Sequence, residues 1–363
     1  MKKTSTTKTL GIFDPYLDTL GGGERYCLSL AEAMLKKGWK VDLFWQDETI
    51  KEKLIERFGL EIKPLGFVSY SPGKSLFERR KFEKKYDVLF YVSDGSIPFM
   101  FGKNNFLHFQ VPFTNLSKKP VLNSIKLKNI RKIICNSDFT KGIIDSGLKA
   151  DSLVVYPPVD ITPLKPLKKE NTILSVGRFS QLLQGKRQDV LIDAFKVLVD
   201  RHSINNWQLV LAGGSEIGGK EYVETLKNLA KGYNILIIEN PPFAELLKLY
   251  GKAKIFWTAS GFEVDEEKNP EKVEHFGMTT VEAMAAGCVP VVMAKGGQKE
   301  IVKEGENGFL WLAKEELVKK TLEIAGNGQL MKKLSENAIL RSEAFSKEKF
   351  SEKIYQIFEN ERK

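Results

Sequence analysis

The chain has 363 residues, too many for one ordinary hydrophobic core and well suited to two domains of common size. Apolar residues make up 42% and charged residues 28%, the mixture of a folded cytosolic protein, and no run approaches the about 20 apolar residues that span a bilayer. The formal charge of +10 sits in the first half, where residues 1–165 carry 27 Lys and Arg against 18 Asp and Glu, while residues 166–363 carry 29 against 28. Such a field favours an anionic partner, including an anionic membrane surface. The basic clusters, RRKFEKK (Arg79–Lys85) and the stretch 118–132, lack the interleaved aromatics of a nucleic-acid platform, so nucleic acid is not the expected partner.

In chain order, MKKTSTTKTLGIFDP has basic residues but no apolar stretch of signal-peptide length before Asp14, which predicts a cytoplasmic protein. TLGIFD reads as a strand and Glu24–Lys37 as a helix, since Cys27, Leu30, Ala31, Met34 and Leu35 recur at helical spacing before Gly38 as a stop. With KVDLFWQ following, the three form a right-handed crossover unit. YDVLFYVS, NNFLHFQV, RKIICNS and SLVVYPP supply further strands. In 118–132, Leu122, Ile125, Asn129, Ile130 and Ile133 make an imperfect apolar stripe flanked by Lys126, Lys128, Arg131 and Lys132, as suits either a membrane-surface helix or a core helix.

Pro157, Pro158, Pro163 and Pro166 keep the segment Tyr156–Asn171 extended, as an interdomain linker. After it the pattern restarts: NTILSVGRF, WQLVLAGG, NILIIEN, AKIFWTAS and VPVVMA alternate with the helical stretches DVLIDAFKVLVDRH, YVETLKNLAK, FAELLKLYGK and TTVEAMAAG. The expected fold is α/β, with two Rossmann-like, doubly wound parallel-sheet domains over 1–163 and 164–345. A C-terminal helix over 346–363 can cross back to the first. Two such halves place ligands in a central cleft at the carboxyl ends of the strands. Cys27, Cys135 and Cys288 are far apart and form no CxxC pair, which predicts buried free thiols rather than a disulfide or zinc site.

Two glycine loops invite standard motifs that fail. DTLGGGERY has Tyr26 where a dinucleotide fingerprint started at Gly21 needs its third glycine, although its glycines still allow close approach to an anionic ligand. Gly214–Lys220 resembles a P-loop but continues with Glu221 where Ser or Thr should hold magnesium, which excludes an ATPase.

The most informative stretch is Glu274–Gly308, EHFGMTTVEAMAAGCVPVVMAKGGQKEIVKEGENG. Glu274 and Glu282 are spaced E-x7-E; a helix beginning at Thr279 or Thr280 puts Glu282 in its first turn and Glu274 in the preceding loop. Backbone amides around Gly277–Thr280 would then face a diphosphate, aided by the helix dipole, and the carboxylates would accept hydrogen bonds from ribose and sugar hydroxyls. This segment resembles the donor signature of the retaining, GT-B-fold family-4 (group 1) glycosyltransferases, E-x-F-G-x-x-x-x-E-A-M-A-x-G-x-P-V-V. SVGRF with its downstream Lys-Arg-Gln-Asp, the early GGGE loop and HFQVP carry the resemblance over nearly the whole chain.

The resemblance implies hexosyl transfer from a nucleotide-diphosphate sugar, with GDP-mannose favoured, onto a glycan or polyprenyl-linked acceptor in surface polysaccharide or glycolipid synthesis. Arg178 and Lys186 would neutralise the diphosphate, so that no metal is needed. The loop between them is longer than usual and makes Arg187 a competitor for Lys186. Glu274 would contact the transferred sugar, Glu282 the ribose, and Phe276, Gly277, Met278 and Thr279 the sugar and phosphates. Gly22 and Gly23 would close over the diphosphate from the first domain, and His108 would face the sugar. His275 is expected behind the site and His202 exposed at a helix end. The basic first domain of an otherwise cytoplasmic protein would suit docking to the anionic inner face of the plasma membrane, which carries a polyprenyl-linked acceptor. A nucleotide-sugar epimerase or hydrolase should carry extra carboxylates that are not found, and a non-catalytic binding protein should have lost Arg178, Lys186 or Glu274.

Overall fold

In the computed structural model, residues 7–19, 21–70, 75–116, 120–180, 185–202, 204–215 and 219–360 are described. The chain divides into two compact units, one running to Pro158 and resuming at Lys347, the other Val159–Ser346.

The first unit alternates strands and helices: β1 (Thr9–Phe13), α1 (Gly22–Lys36), β2 (Lys40–Phe44), α2 (Ile50–Phe58), β3 (Gly66–Val68), α3 (Leu76–Glu83), β4 (Val88–Val92), β5 (Asn104–Phe109), α4 (Pro120–Leu127), β6 (Lys132–Cys135), α5 (Asp138–Leu148) and β7 (Leu153–Val154). The strands pair in parallel in the order β3-β2-β1-β4-β5-β6-β7. Every residue of β4 is buried, because helices cover both faces of a parallel sheet and such strands read as apolar runs rather than alternations. Glu24 sets the start of α1 by accepting from the Gly21 amide at 2.5 Å, and Gly38 (φ +79°) turns the chain at its end. β3 escapes sequence patterning because three half-buried residues at a sheet edge show no usable period.

The second unit holds β8 (Glu170–Val176), α6 (Gln188–His202), β9 (Gln208–Gly213), α7 (Lys220–Ala230), β10 (Ile235–Glu239), α8 (Phe243–Lys252), β11 (Ala253–Thr258), α9 (Met278–Ala285), β12 (Val289–Met293), α10 (Gln298–Ile301), β13 (Phe309–Trp311), α11 (Lys314–Gly326) and α12 (Gly328–Ser342). Its strands are also parallel, ordered β10-β9-β8-β11-β12-β13. Both expected doubly wound domains are therefore present. The last helix, α13 (Lys347–Asn360), belongs to the first unit. There its stripe Phe350, Ile354, Phe358 is buried, Phe350 meets Tyr26 edge-on at 4.9 Å, and Lys347 pairs with the buried Glu32 at 2.5 Å.

The stripe anticipated in 118–132 takes a different form. Lys118 and Lys119 lie outside the described residues. The helix ends at Leu127, Ile133 enters the core within β6, and Lys126 turns to the Ile97 carbonyl at 2.6 Å. Val121, Leu122 and Ile125 form the exposed apolar set instead. The three cysteines are buried and free. Gly214–Lys220 runs from just past β9 to the first residue of α7, and its residues 216–218 lie outside the described residues.

Candidate active site

In the second unit the strand order reverses between β8 and β11, and the loops leaving their carboxyl ends open a crevice where α/β sheets bind ligands. β8 runs directly into Gly177 and Arg178. Lys186 comes from the segment before α6; residues 181–184 of its loop lie outside those described. Lys186 Nζ donates to Glu274 Oε2 at 2.6 Å. Burial alone would push the Glu274 carboxyl up. The adjacent Lys186 ammonium outweighs burial, with smaller help from His275 and Arg178, and holds the carboxyl below its ordinary range. Arg178, exposed to solvent, is thus close enough to Glu274 to be felt electrostatically.

Arg187 goes elsewhere. Its backbone adopts φ +49°, and its guanidinium pairs with Asp189 at 3.1 Å and Glu263 at 3.4 Å while covering the Phe262 ring. Lys186 is therefore the cation that meets Glu274.

Gly277, at φ +117°, is the N-cap of α9, a conformation in which a side chain would be strained and would also strike Gln298. The helix opens at Met278, a residue or two earlier than the sequence suggested, so Glu282 falls just past the first turn. The positive φ of Gly277 ends the loop sooner than the threonines alone would signal. Met278 and Thr279 remain half-buried in that first turn, while Phe276 is buried, packing edge-on against Phe345 at 5.4 Å. Glu282 accepts from the Tyr250 hydroxyl at 2.8 Å, and Thr280 Oγ1 donates to the buried Gln298 at 3.0 Å. His275 sits behind the turn with Nε2 at 3.3 Å from the Glu271 carbonyl, and His202 is exposed at the end of α6.

A second glycine pair locks the Glu274 turn from outside. The Gly297 amide donates to the Glu274 carbonyl at 2.9 Å, and a Cβ on Gly297 would stand 2.4 Å from the His275 carbonyl oxygen. Glu266, in the segment between β11 and α9, accepts from the Gly296 amide at 2.8 Å and pairs with Lys299 at 2.7 Å. Tyr250, Gln298 and Glu266 carry no sequence signal of these contacts; Gln298 lies inside the Glu274–Gly308 stretch without a motif of its own.

In the first unit, Gly22 and Gly23 form the first turn of α1. Gln110 Nε2 donates to the Gly23 carbonyl at 3.1 Å, so the GGGE loop and HFQVP meet. His108 is fully buried, stacked on Tyr26 at 4.1 Å, with Nδ1 at 3.0 Å from the Ile134 carbonyl and no hydrogen-bond partner on Nε2. Burial drives its pKa down to about 3 and keeps the imidazole neutral. Asp14, just beyond β1 and missed in the sequence, is equally buried. Its pKa is pushed up to about 7 by burial and by Glu24, and its Oδ2 lacks a hydrogen-bond partner. Among the described residues no cluster of three or more His, Cys, Asp or Glu is arranged as metal ligands, and no helix is long and apolar enough to cross a membrane.

Residues 160–341 match the family model of glycosyl transferases group 1. A Haemophilus influenzae protein named as an uncharacterized glycosyltransferase is 28% identical over 95% of this chain and 98% of its own. The GDP-Man:Man(3)GlcNAc(2)-PP-Dol alpha-1,2-mannosyltransferase of Caenorhabditis elegans is 27% identical over 89% of this chain and 84% of its own. Among solved structures, a glycosyltransferase from Rickettsia africae superposes with a TM-score of 0.77 at 20% identity, covering 99% of both chains. Two parallel-sheet Rossmann-like domains with these likenesses define a glycosyltransferase of GT-B fold. The chain belongs to the glycosyl transferases group 1 family.

Proposed function

We propose that the protein is a retaining, metal-independent hexosyltransferase that takes mannose from GDP-mannose and passes it to a glycan or lipid-linked acceptor in surface polysaccharide or glycolipid synthesis. The observation that carries this reading is the Lys186–Glu274 pair at 2.6 Å beside Arg178 and the amino end of α9, at the carboxyl ends of β8 and β11. Two cations and the helix end suit a pyrophosphate, and their charge does for the departing nucleotide what a bound cation does in metal-dependent transferases. The mannosyltransferase name of the nematode relative supports the choice of donor.

Glu274 serves as a hydrogen-bond acceptor for sugar hydroxyls, and its low proton affinity suits that role. As the acceptor oxygen bonds to the anomeric carbon, the bond from that carbon to the phosphate oxygen breaks on the same face. The phosphate oxygen takes the hydroxyl proton. No carboxylate attacks the sugar, unlike the double displacement of retaining glycosidases.

The test is a panel of GDP- and UDP-sugars in the presence of a chelator, with the product's anomeric configuration read by NMR. GDP-mannose should be consumed fastest, its α-configuration kept in the product. A β-linked product, or turnover that stops with chelator and returns with magnesium, would overturn the proposal.

A further inference from the structure

The sheet of the second unit ends on two edges of different character. At one, the outward backbone of β13 is covered: the Leu310 amide donates to Glu304 at 2.6 Å, the Leu310 carbonyl accepts from the Lys320 ammonium, and the Leu312 amide just beyond donates to Glu316 at 2.7 Å. Charged side chains placed this way keep an edge from pairing with another strand. At the other edge, β10, with the sequence ILIIE, pairs with β9 alone among the described strands. Its ladder is framed by the Leu209 amide on the Asn234 carbonyl at 3.1 Å and the Asn240 amide on the Gly213 carbonyl at 2.8 Å. Alternate residues of a strand turn their peptide groups to opposite sides. Leu236 and Ile238 therefore also face β9, while Ile235, Ile237 and Glu239 turn outward. The Ile235 amide is taken by the Tyr233 carbonyl at 2.8 Å. The Ile235 carbonyl, and the amides and carbonyls of Ile237 and Glu239, meet no hydrogen-bond partner among the described residues.

The side chains along this edge suit a dry contact. Ile235 and Ile237 pack toward the core that α7 shares. Leu236 and Ile238 point to the opposite face, where Leu236 is 44% exposed and Ile238 half-buried. Right-handed crossovers place α8 on that same face, and Phe243 in its first turn is 65% exposed. Residues 235–238 carry no charge, and Glu239 is neutralised within the chain by Lys227 at 3.2 Å. The edge therefore lacks the charges, the proline and the covering side chains that guard a solitary strand.

We infer that β10 pairs with the same strand of a second copy of this chain, antiparallel about a twofold axis at Ile237, so that two second-unit sheets become one. The free peptide groups dictate the register. Each Ile237 amide donates to the Ile237 carbonyl of the other copy, and each Glu239 amide to the other copy's Ile235 carbonyl. That register sets Leu236 beside Ile238 of the second copy on the apolar face. It also puts each Glu239 opposite Ile235 rather than opposite a second carboxylate, so no like charges meet. The edge is thus complementary to itself. A twofold contact is used up once made, and the covered β13 edge offers no further pairing, so association stops at two. The inference stands apart from the donor site and is measured without nucleotide sugar.

The test is sedimentation velocity of the full chain over roughly 1 to 100 μM, beside the variants Leu236→Lys and Glu239→Pro. The wild type should pass from monomer to dimer within that range, because a strand pair with its flanks lies at the small end of specific interfaces. Leu236→Lys sets an ammonium against the second copy's Ile238. Glu239→Pro removes one outward amide and leaves the β9 ladder intact. Each should raise the dimer dissociation constant tenfold or more, with the melting temperature of dilute protein unchanged. The register is read by L236C/I238C under mild oxidation, which should give a crosslinked dimer on a non-reducing gel, since the antiparallel pairing brings positions 236 and 238 of the two copies together. A wild type that stays monomeric at the highest concentration, or that grows into larger species, would refute the inference. So would a dimer that survives both single substitutions, or one that forms without the crosslink.

Discussion

Burying a carboxylate costs free energy unless a counter-charge travels with it, and half-buried Glu274 and fully buried Asp14 meet that cost differently. Glu274 keeps its charge because Lys186 stands at 2.6 Å. Asp14 has no cation and sits near Glu24, so it holds its proton up to about pH 7. The folded state therefore binds more protons than the unfolded chain between pH 3.8 and about 7, and Asp14's contribution to stability is lost as pH rises through that window. His108 has the opposite sign: its folded value of about 3 against 6.5 means that stability is lost as pH falls from 6.5 toward 3. At about 1.4 kcal/mol for each tenfold change in proton affinity, either group is worth a few kcal/mol. Asp14→Asn should raise the denaturation midpoint at pH 7 and leave stability increasing with pH between 4 and 6.5. A variant that keeps the wild-type pH profile in urea melts from pH 4 to 8 would show that Asp14 is not buried in this way. Residue identity was legible in the sequence, but partner choice was not. Lys186 and Arg187 are neighbours of like charge, yet Lys186 meets Glu274 while Arg187, at positive φ, pairs with Asp189 and Glu263.

At the scale of elements, the loop ahead of α9 is shaped by glycines approaching one another's backbones. Gly297 lies against the His275 carbonyl, and because that obstacle is backbone rather than a flexible side chain, nothing short of moving the turn relieves it. Gly297→Ala should therefore displace Glu274, lower the melting temperature and weaken GDP-mannose binding by tenfold or more, about 1.4 kcal/mol. Donor affinity equal to wild type by calorimetry would show that the turn does not bind donor. The E-x7-E spacing and the apolar run of α9 announced this element in sequence. Tyr250, 32 positions before Glu282, and Gln298, 18 after Thr280, carry no local signal of their contact, which only the folded sheet creates. Strands buried on both faces were legible as apolar runs; β3 and β13 were too short to show a period.

For the whole molecule, the alternation of strand and helix dictated two parallel sheets, and each sheet reverses its strand order at the place where α/β folds hold ligands. The C-terminal helix, which the sequence allows to cross back to the first domain, is grouped with the first unit as α13, and its Phe350, Ile354 and Phe358, which no motif marks, are buried there. On the proposed function, Arg178 and Lys186 of the second unit would grip a nucleotide-sugar diphosphate beside Glu274, without a metal. Calorimetric titration of GDP-mannose into Arg178→Ala/Lys186→Ala, with chelator present, tests it most directly. Charge-assisted hydrogen bonds of about 1.5–3 kcal/mol each predict a loss of affinity of at least a hundredfold for the pair. Affinity within twofold of the wild type would contradict it.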